Sequence, residues 1–514
     1  MRRPLFLVLA AVVPLLLYAR TASFGFVQAD DADLIASNRT FLSDLRNAPR
    51  AFARSYFEVE GQLTPQKTYY RPLAIVSFML DAARAGAAPR AYHATNVILH
   101  AAACCLLFAL ALIWGAPAAA ALAAALAFAV HPVNVQAVAW IAGRNDLLLA
   151  VFGLVSLAAW ARLGVGSWQL GVAAAHVLSF AAALFSKETG LFFPALAVLH
   201  QAVAVREPLS RTQKAALAAD AAVVAVWAVL RSYALAGTPS EIGAGTLRVA
   251  AANAPQLLVQ IRKMLFPVAL NVTPGAQNLD LLLAAVTLAA FAFLARRLPR
   301  GMAAVAIAWV LAFLLPTLLV PGLPAYEHRL YVPLIGVAVA GARLAGATPG
   351  VSTGVRPFAV SSAIAGLLVA FAAITWQRQE VFRDPFSFWT DAARDPRFGA
   401  VAHVNLGQLH EAGGRPARAR REYLRALERD PATPKAHNNL GVVLMQLGET
   451  ELALRHFREE ATRHPWNADA WFNLGLWTEM QGDTAGARAY YERAIRENPA
   501  YRPAYDKLGR DPGY

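Results

Sequence analysis

Long apolar stretches, separated by short polar clusters, run through the first 375 residues of this chain. About eleven of these stretches are long enough to cross a bilayer as helices, a few of them only just. They lie near residues 4–19, 92–113, 118–140, 146–163, 168–185, 189–205, 216–235, 279–295, 302–320, 329–346 and 358–375. The pattern predicts an all-α, polytopic membrane domain over residues 1–375, with a first outer loop at 20–90.

A different pattern begins near residue 400, where similar residues recur every 34 positions. Each unit carries an early alanine, a Leu-Gly pair, a central alanine with an aromatic residue four positions later, and a terminal proline. The early alanines are Ala402, Ala436, Ala470 and Ala504. This period is typical of tetratricopeptide repeats, paired helices that stack into an α-solenoid. We predict repeats at 400–433, 434–467 and 468–501, a partial repeat at 502–514, and a linker helix at 376–399.

Composition supports a membrane protein, because 57% of the residues are hydrophobic and 16% are charged. The net charge of +14 lies mostly on the membrane portion, which has 27 basic and 14 acidic residues, against 20 and 19 from Trp376 onward. A nucleic-acid-binding repeat domain would be basic, so that class is excluded. Cys104 and Cys105 are the only cysteines and are adjacent, which excludes a disulfide framework.

Basic residues at the span ends indicate the orientation. Arg2 and Arg3 precede the first span and place the N-terminus in the cytoplasm by the positive-inside rule. An odd number of spans then leaves the repeats outside. We therefore expect a multi-pass protein of the cell inner membrane with periplasmic repeats. The alternative for residues 1–25 is a cleaved signal peptide, but its removal would give the next span the wrong polarity.

With this orientation, six polar clusters fall at the outer ends of spans and suggest one site at that face. They are Asp30-Asp31, Tyr69–Pro72, His131-Pro132, Gly143–Asp146, Ser186–Glu188 and Tyr326–Arg329. Ionisable groups at membrane depth are costly, and they usually serve a function.

The paired acids Asp30 and Asp31 are candidate general bases, because a neighbouring like charge raises the pKa of a carboxyl group. The alternative is structural: Asp31 or Asp33 could cap the segment 32–38.

The cations at the outer span ends are candidate ligands of a donor phosphate: Arg71, Arg144, Lys187 and Arg329, with His131 beside them. Snorkelling to lipid headgroups is the alternative for each cation, and Arg144 and Lys187 could instead pair with Asp146 and Glu188.

Further polar residues are candidates for lining the same cavity: His93, Asn96, His100, Glu188, Glu327 and His328. His93, Asn96 and His100 share one helical face, and a hydrogen-bonded seam between helices is the favoured alternative for them. None of the spacings resembles a metal site.

Short motifs stand in a fixed order along the chain: Val27–Asp31, Tyr70–Leu73, His93–His100, His131–Val138, Gly143–Leu148, Ser186–Gly190 and Glu327–Pro333. Together with the repeats, they resemble the TMTC-type (transmembrane and tetratricopeptide repeat) O-mannosyltransferases and their bacterial relatives, which belong to the GT-C class of membrane glycosyltransferases. The resemblance implies transfer of a sugar, mannose by analogy, from a polyprenyl phosphate to a protein hydroxyl at the outer face, with inversion. It also implies an essential acid at Asp30 or Asp31, with Asp31 slightly favoured, and no cofactor or metal.

In this interpretation the repeats recruit the protein acceptor, and four asparagines on their first helices are candidates for clamping its backbone: Asn405, Asn438, Asn439 and Asn473. The alternative is that these asparagines are ordinary repeat residues. Glu460 stands where the repeat pattern has a small residue, which predicts a looser interface there. The expected partners are membrane lipids, the lipid-linked sugar and a protein, without nucleic acid.

Two rival functions remain open at the level of sequence. One is a non-enzymatic membrane anchor that presents the repeats for envelope assembly. The other keeps the enzyme but glycosylates a lipid or polysaccharide, with the repeats serving oligomerisation.

Overall fold

The computed structural model describes residues 2–27, 29–58, 69–165, 169–236, 246–271, 278–319, 326–347, 355–396 and 398–511. The chain divides into two compact units, Met1–Asp384 and Pro385–Tyr514. Across these described ranges the secondary structure is helical, without strands, which confirms the all-α class. The division at Asp384 falls within the predicted linker at 376–399.

The first unit is a bundle of membrane-length helices joined by shorter ones. Its α-helices are α1 (Arg2–Tyr18), α2 (Arg39–Leu42), α3 (Ala48–Ala51), α4 (Pro72–Ala85), α5 (Pro89–Ile113), α6 (Ala118–Ala129), α7 (Val135–Ala139), α8 (Arg144–Trp160), α9 (Gln169–Ser186), α10 (Phe192–His200), α11 (Arg211–Ala234), α12 (Thr246–Lys263), α13 (Asn278–Arg297), α14 (Arg300–Leu314), α15 (Tyr331–Ala347) and α16 (Val355–Gln379).

All of the predicted spans coincide with helices. Within the described ranges, seven helical segments are long and apolar enough to cross a membrane: Arg3–Ser23, Pro89–Ile113, Ile141–Trp160, Gln169–Ser186, Glu188–Val205, Arg211–Ala234 and Arg300–Leu319. The pair Ala118–Ala129 and Pro132–Ala139 makes an eighth if its 49° bend is counted as a broken span. The remaining predicted spans lie on α13, α15 and α16.

The second unit is built from helix pairs that follow the period of 34 residues. Its helices are α17 (Pro385–Ala392), α18 (Gly399–Ala412), α19 (Pro416–Arg429), α20 (Ala436–Gln446), α21 (Thr450–Arg463), α22 (Ala468–Met480), α23 (Thr484–Glu497) and α24 (Arg502–Leu508). The pairs α18–α19, α20–α21 and α22–α23 are the three full repeats, and α24 belongs to the fragment.

Each repeat is closed by contact between a glycine on its first helix and an aromatic ring on its second. A Cβ atom on Gly407, Gly441 or Gly475 would lie within 2.3 to 2.6 Å of the ring of the Tyr or Phe sixteen positions later. Only a residue without a side chain lets the two helices approach this closely. The repeated Leu-Gly pair is therefore a packing requirement.

Glu460 does not loosen the second repeat, contrary to the expectation from sequence. Its side chain is fully buried, and its carboxylate accepts hydrogen bonds from the backbone N–H of Lys435 at 2.7 Å and of Asn438 at 3.2 Å. The amide of Asn467 donates a third bond at 2.9 Å. The carboxylate thus takes up N–H groups at the start of α20 that have no partner within the helix.

Candidate functional site

A cavity of about 370 Å³ lies at one end of the bundle in the first unit. Five of the six predicted polar clusters contribute to its lining, and the His131-Pro132 cluster does not. The polar and aromatic lining residues include Asp30, Tyr56, Phe57, Tyr69, Arg71, Trp140, Asn145, Asp146, Lys187, Glu188, Thr189, Arg231, Thr317, Tyr326, His328 and Arg329. Leu149, Phe313, Pro316, Val332 and Pro333 add an apolar side.

Asp30 and Asp31 face different surroundings because successive residues of a helical turn point about 100° apart. Asp30 lines the cavity. Asp31 is 1% exposed; its Oδ2 accepts the N–H of Val27 at 3.2 Å and its Oδ1 accepts the N–H of Ala142 at 3.1 Å. Its side chain does not cap the segment Ala32–Ala36 that follows. Asp31 instead ties the first outer loop to the start of the span at Ile141–Trp160. Gln28, in the same motif, lies outside the described residues.

Burial decides the protonation of Asp31. The pKa of this carboxyl group is raised to about 8, chiefly by removal from water; the nearby Asp30 contributes to the rise, while the hydrogen bonds from Val27 and Ala142 oppose it. The two neighbouring acids therefore have different surroundings: Asp30 lines the cavity, and Asp31 is buried behind its wall.

Arg71 is held at the cavity by a carboxylate from a distant segment. Its Nε lies 3.2 Å from Oε2 of Glu188, whose Oε1 accepts the backbone N–H of Tyr70 at 3.2 Å. The guanidinium also lies 4.4 Å from the centre of the Tyr69 ring. These contacts fix the start of α4 against the turn at Glu188–Leu191, and they orient the cation before any ligand arrives.

Lys187 and Arg329 complete the cationic side of the cavity. Lys187 Nζ lies 2.6 Å from Oδ1 of Asp146, and the guanidinium of Arg329 lies 5.7 Å from the Tyr326 ring. The His328 ring stacks on Tyr326 with centroids 5.3 Å apart. Burial lowers the pKa of His328 well below its ordinary value, so its imidazole is neutral.

Four cations and three carboxylates line this cavity. The carboxylates are Asp30, Asp146 and Glu188, and the cations include Arg231, which the sequence analysis missed. Arg231 lies in the last turn of α11, at the outer end of a predicted span, so the rule that selected the other cations could also have found it. Several oriented cations around one apolar-walled cavity suit a phosphate ester attached to a hydrocarbon chain.

Two predicted phosphate ligands lie away from this cavity, and that prediction is corrected. Arg144 is fully buried; it pairs with Asp81 at 2.5 Å and its Nε donates to Asn96 Oδ1 at 2.8 Å, which joins α4, α5 and α8. His131 is buried and uses both ring nitrogens, since Nδ1 accepts the N–H of Val133 at 3.3 Å and Nε2 donates to the carbonyl of Met264 at 3.2 Å.

The helical face of His93, Asn96 and His100 forms a seam between helices, so these residues do not line the cavity. The His93 ring bonds the carbonyl of Gly25 at 3.2 Å, and the Asn96 amide donates to the carbonyls of residues 138 and 140. His100 Nδ1 accepts the hydroxyl of Tyr331 at 2.7 Å.

Glu327 also lies outside the cavity lining, although its neighbours His328 and Arg329 belong to it. Its carboxylate is fully buried and pairs with Lys263 Nζ at 2.8 Å, with Arg378 at 3.6 Å from its other oxygen. The backbone N–H of Asn271 donates to it at 2.9 Å. Glu327 therefore anchors α12 and α16 behind the site.

The four asparagines of the repeats are bonded largely to one another and to their own helices. Asn473 Nδ2 donates to Asn438 Oδ1 at 2.9 Å, which links successive repeats, and Asn438 Nδ2 donates to Asn439 Oδ1 at 3.3 Å. Asn405 Nδ2 donates to the carbonyl of Val401 at 2.9 Å. These contacts fit a role within the repeats, and an acceptor groove stays a prediction.

Among the described residues, no group of three or more His, Cys, Asp or Glu side chains is placed to hold a metal ion. A metal-independent reaction stays a prediction.

Comparison with known proteins supports both parts of the chain. The tetratricopeptide repeat family model matches residues 404–465 and 444–502, which confirms the repeats. Protein O-mannosyl-transferase Tmtc1 of Drosophila melanogaster is 30% identical over 175 residues, covering 34% of this chain and 20% of its own length. Human protein O-mannosyl-transferase TMTC2 is 33% identical over 148 residues, 29% of this chain and 18% of its own length. The resemblance to TMTC-type proteins is thereby confirmed.

The chain spans about a fifth of the length of these curated relatives. Among solved structures, ArnT from Cupriavidus metallidurans bound to undecaprenyl phosphate aligns over 91% of this chain and 80% of its own, with 12% identity and a TM-score of 0.46.

Proposed function

We propose that this chain is a membrane glycosyltransferase that moves a sugar, mannose by analogy with its relatives, from a polyprenyl phosphate to a hydroxyl group of a protein acceptor. The observation that carries the proposal is the convergence of Asp30, Arg71, Lys187 and Arg329 on one cavity from segments up to about three hundred residues apart. The named activity of the TMTC relatives gives the reaction class.

Asp30 is the proposed general base. An acceptor hydroxyl oxygen attacks the anomeric carbon of the sugar, its proton passes to the Asp30 carboxylate, and the bond from the sugar to the phosphate oxygen breaks. The lipid phosphate leaves with the bonding electron pair, and attack from the opposite side inverts the anomeric carbon. The sequence alone slightly favoured Asp31, but Asp30 is the acid that lines the cavity.

Asp31 is proposed as a positioning residue. Both carboxylate oxygens of Asp31 accept hydrogen bonds from backbone N–H groups, those of Val27 and Ala142. Asp31 therefore holds the neighbouring Asp30 in place and does not itself reach the sugar acceptor. This arrangement keeps Asp30 in the wall of the same cavity as Trp140 and Asn145.

The cations supply the electrostatic part of the catalysis. Arg71 and Lys187 are already oriented by Glu188 and Asp146, so they need no rearrangement to meet the negative charge that grows on the departing phosphate. We therefore also propose that transfer needs no metal ion, and that activity is retained in a chelating buffer. The apolar side around Phe313 and Val332 would take the first isoprene units.

The site is assigned to the periplasmic face of the cell inner membrane, with the N-terminus in the cytoplasm. The repeats are proposed to bind the protein acceptor, since tetratricopeptide arrays present a concave surface to their partners.

The test is sugar transfer by the full chain reconstituted in lipid, with labelled polyprenyl-phosphate mannose as donor and a periplasmic extract as acceptor. Asp30→Asn is expected to lower the rate by at least about 10²-fold, the smaller end of the contribution of a general base. Asp33→Asn is the matched control, since it makes the same charge change in the same segment at a residue that does not line the cavity.

Equal activity of the Asp30→Asn and Asp33→Asn variants would refute Asp30 as the base. Label entering lipid or polysaccharide instead of protein would keep the enzyme and change the acceptor. No transfer from any of several polyprenyl-phosphate sugars, under conditions in which a known relative is active, would favour the scaffold function.

A further inference from the structure

A second cavity, of about 470 Å³, lies at the opposite end of the helices that line the candidate active site. The helix α14 contributes Phe313 near its last turn to the first cavity and Gly301 in its first turn to the second. Gly301 and Phe313 are twelve positions apart, which corresponds to about 18 Å of helix at 1.5 Å per residue. The helix α15 likewise contributes Val332 to one cavity and Arg343 to the other. The two cavities are therefore separated by a large part of a membrane thickness.

The charged side chains that line the second cavity are all positive. Arg206, Arg300 and Arg343 line it from three separate elements, and none of its described lining residues is an acid. In the first cavity, by contrast, Arg71 and Lys187 are paired with carboxylates. Three guanidinium groups around one concave space, without a neutralising side chain in its wall, favour an anion.

A buried polar group also faces this cavity. His200 is 8% exposed and stacks flat on Trp114, with ring centroids 4.2 Å apart and planes 10° from parallel. The ring lines the cavity. Arg343 donates through Nη1 to the carbonyl of Gly115, while its Nε is buried without an acceptor in the described part of the chain.

The backbone adds donors at the same place. Pro299, Arg300, Gly301 and Met302 all line the cavity and form the start of α14, where the first N–H groups of a helix lack partners within it and the helix dipole is positive. A Cβ atom on Gly301 would lie 2.0 Å from the carbonyl oxygen of Val203, so the glycine allows the helix start to sit against residues 203–206.

We propose that this second cavity is a binding site for a phosphate group, carried either by an anionic phospholipid headgroup or by a soluble phosphate compound. Guanidinium groups match the geometry of phosphate oxygens, and His200 and the α14 N–H groups supply further donors. Simple snorkelling of arginines to the membrane surface explains neither the stacked Trp114–His200 pair nor a cavity with an unused buried donor. The site is distinct from the proposed sugar-transfer site and does not depend on its reaction.

The experiment measures binding to the full chain in a neutral detergent by microscale thermophoresis. The probes are dihexanoyl phosphatidylglycerol, dihexanoyl phosphatidylcholine and inorganic phosphate. The test variant is Arg300→Gln with Arg343→Gln, and the matched control is Arg296→Gln with Arg297→Gln, which removes two charges from the nearby end of α13 outside the cavity lining. At roughly 1 kcal/mol for each cation, the test variant is expected to bind about 30-fold more weakly than wild type.

Arginine-dependent binding of phosphatidylglycerol, stronger than that of phosphatidylcholine, supports a lipid headgroup as the source of the phosphate. Arginine-dependent binding of inorganic phosphate alone supports a soluble compound. Binding of none of the probes to the wild type, or the same loss in the control as in the test variant, overturns the proposal. If the double variant does not fold, Arg206→Gln at an exposed position replaces it, with an expected weakening of about fivefold.

Discussion

Replacing Glu460 by alanine restores the small residue that the repeat pattern has at this position, yet it should destabilise the second repeat. Glu460→Ala removes an acceptor from the N–H groups of Lys435 and Asn438 and from the Asn467 amide. Each hydrogen bond to a charged group contributes about 1.5–3 kcal/mol. The variant also no longer has the desolvation cost of a buried carboxylate, which offsets part of the free energy lost with these hydrogen bonds. Water can also reach the N–H of the exposed Lys435, so we expect a net loss of about 3 kcal/mol.

Hydrogen exchange followed by mass spectrometry on the full chain measures this loss locally. Peptides from α20 and α21 should exchange about 100-fold faster in Glu460→Ala, because each 1.4 kcal/mol changes the opening equilibrium tenfold. Peptides from α5 in the other unit serve as the internal reference. Glu459→Ala, at the neighbouring half-buried position, is the control; it removes only a surface ion pair with Arg463 and should change exchange by no more than a few-fold. Exchange in Glu460→Ala that is equal to or slower than in wild type would refute the structural role of the carboxylate.

Three further predictions follow from contacts described above. Gly441→Ala places a Cβ atom 2.6 Å from the Phe457 ring and should destabilise the same repeat by about 1–2 kcal/mol, seen as faster exchange in α20; unchanged exchange would contradict the packing. Arg144→Gln breaks the buried ion pair with Asp81 at a cost of about 3–5 kcal/mol of folding free energy and should lower the melting temperature. An unchanged melting temperature together with weaker donor binding would instead support Arg144 as a phosphate ligand. Asp31→Asn replaces the acid with a neutral group that does not titrate. Because burial raises the pKa of Asp31 in the folded protein to about 8, above its ordinary value of 3.8, the melting temperature of the wild type should fall relative to that of the variant as the pH rises through this range. The same pH dependence of both melting temperatures would contradict this prediction.

The sequence predicted the architecture and much of the site, because both leave periodic or positional signals. Apolar length identified the spans, the period of 34 residues identified the repeats, and polarity at span ends selected Arg71 and Lys187. These signals depend on position along the chain alone.

Side-chain direction could not be predicted in the same way. Arg144 and Asn145 are neighbours at one span end, yet only Asn145 lines the cavity, since a single helical step turns the other into the bundle. The same step separates Asp30 from Asp31. Glu460 was misjudged for a related reason: two of its three partners are backbone N–H groups, which no residue pattern records.

The wall of the candidate active-site cavity is completed only late in biosynthesis. Asp30 leaves the ribosome early, the Ala142 N–H that holds the adjacent Asp31 follows more than a hundred residues later, and Arg329 comes later still. Until that last segment is inserted, the charges at the span ends have no common cavity and must be kept hydrated or shielded by the insertion machinery. A chain truncated before residue 326 could retain most of its spans and still have no place for a donor to bind.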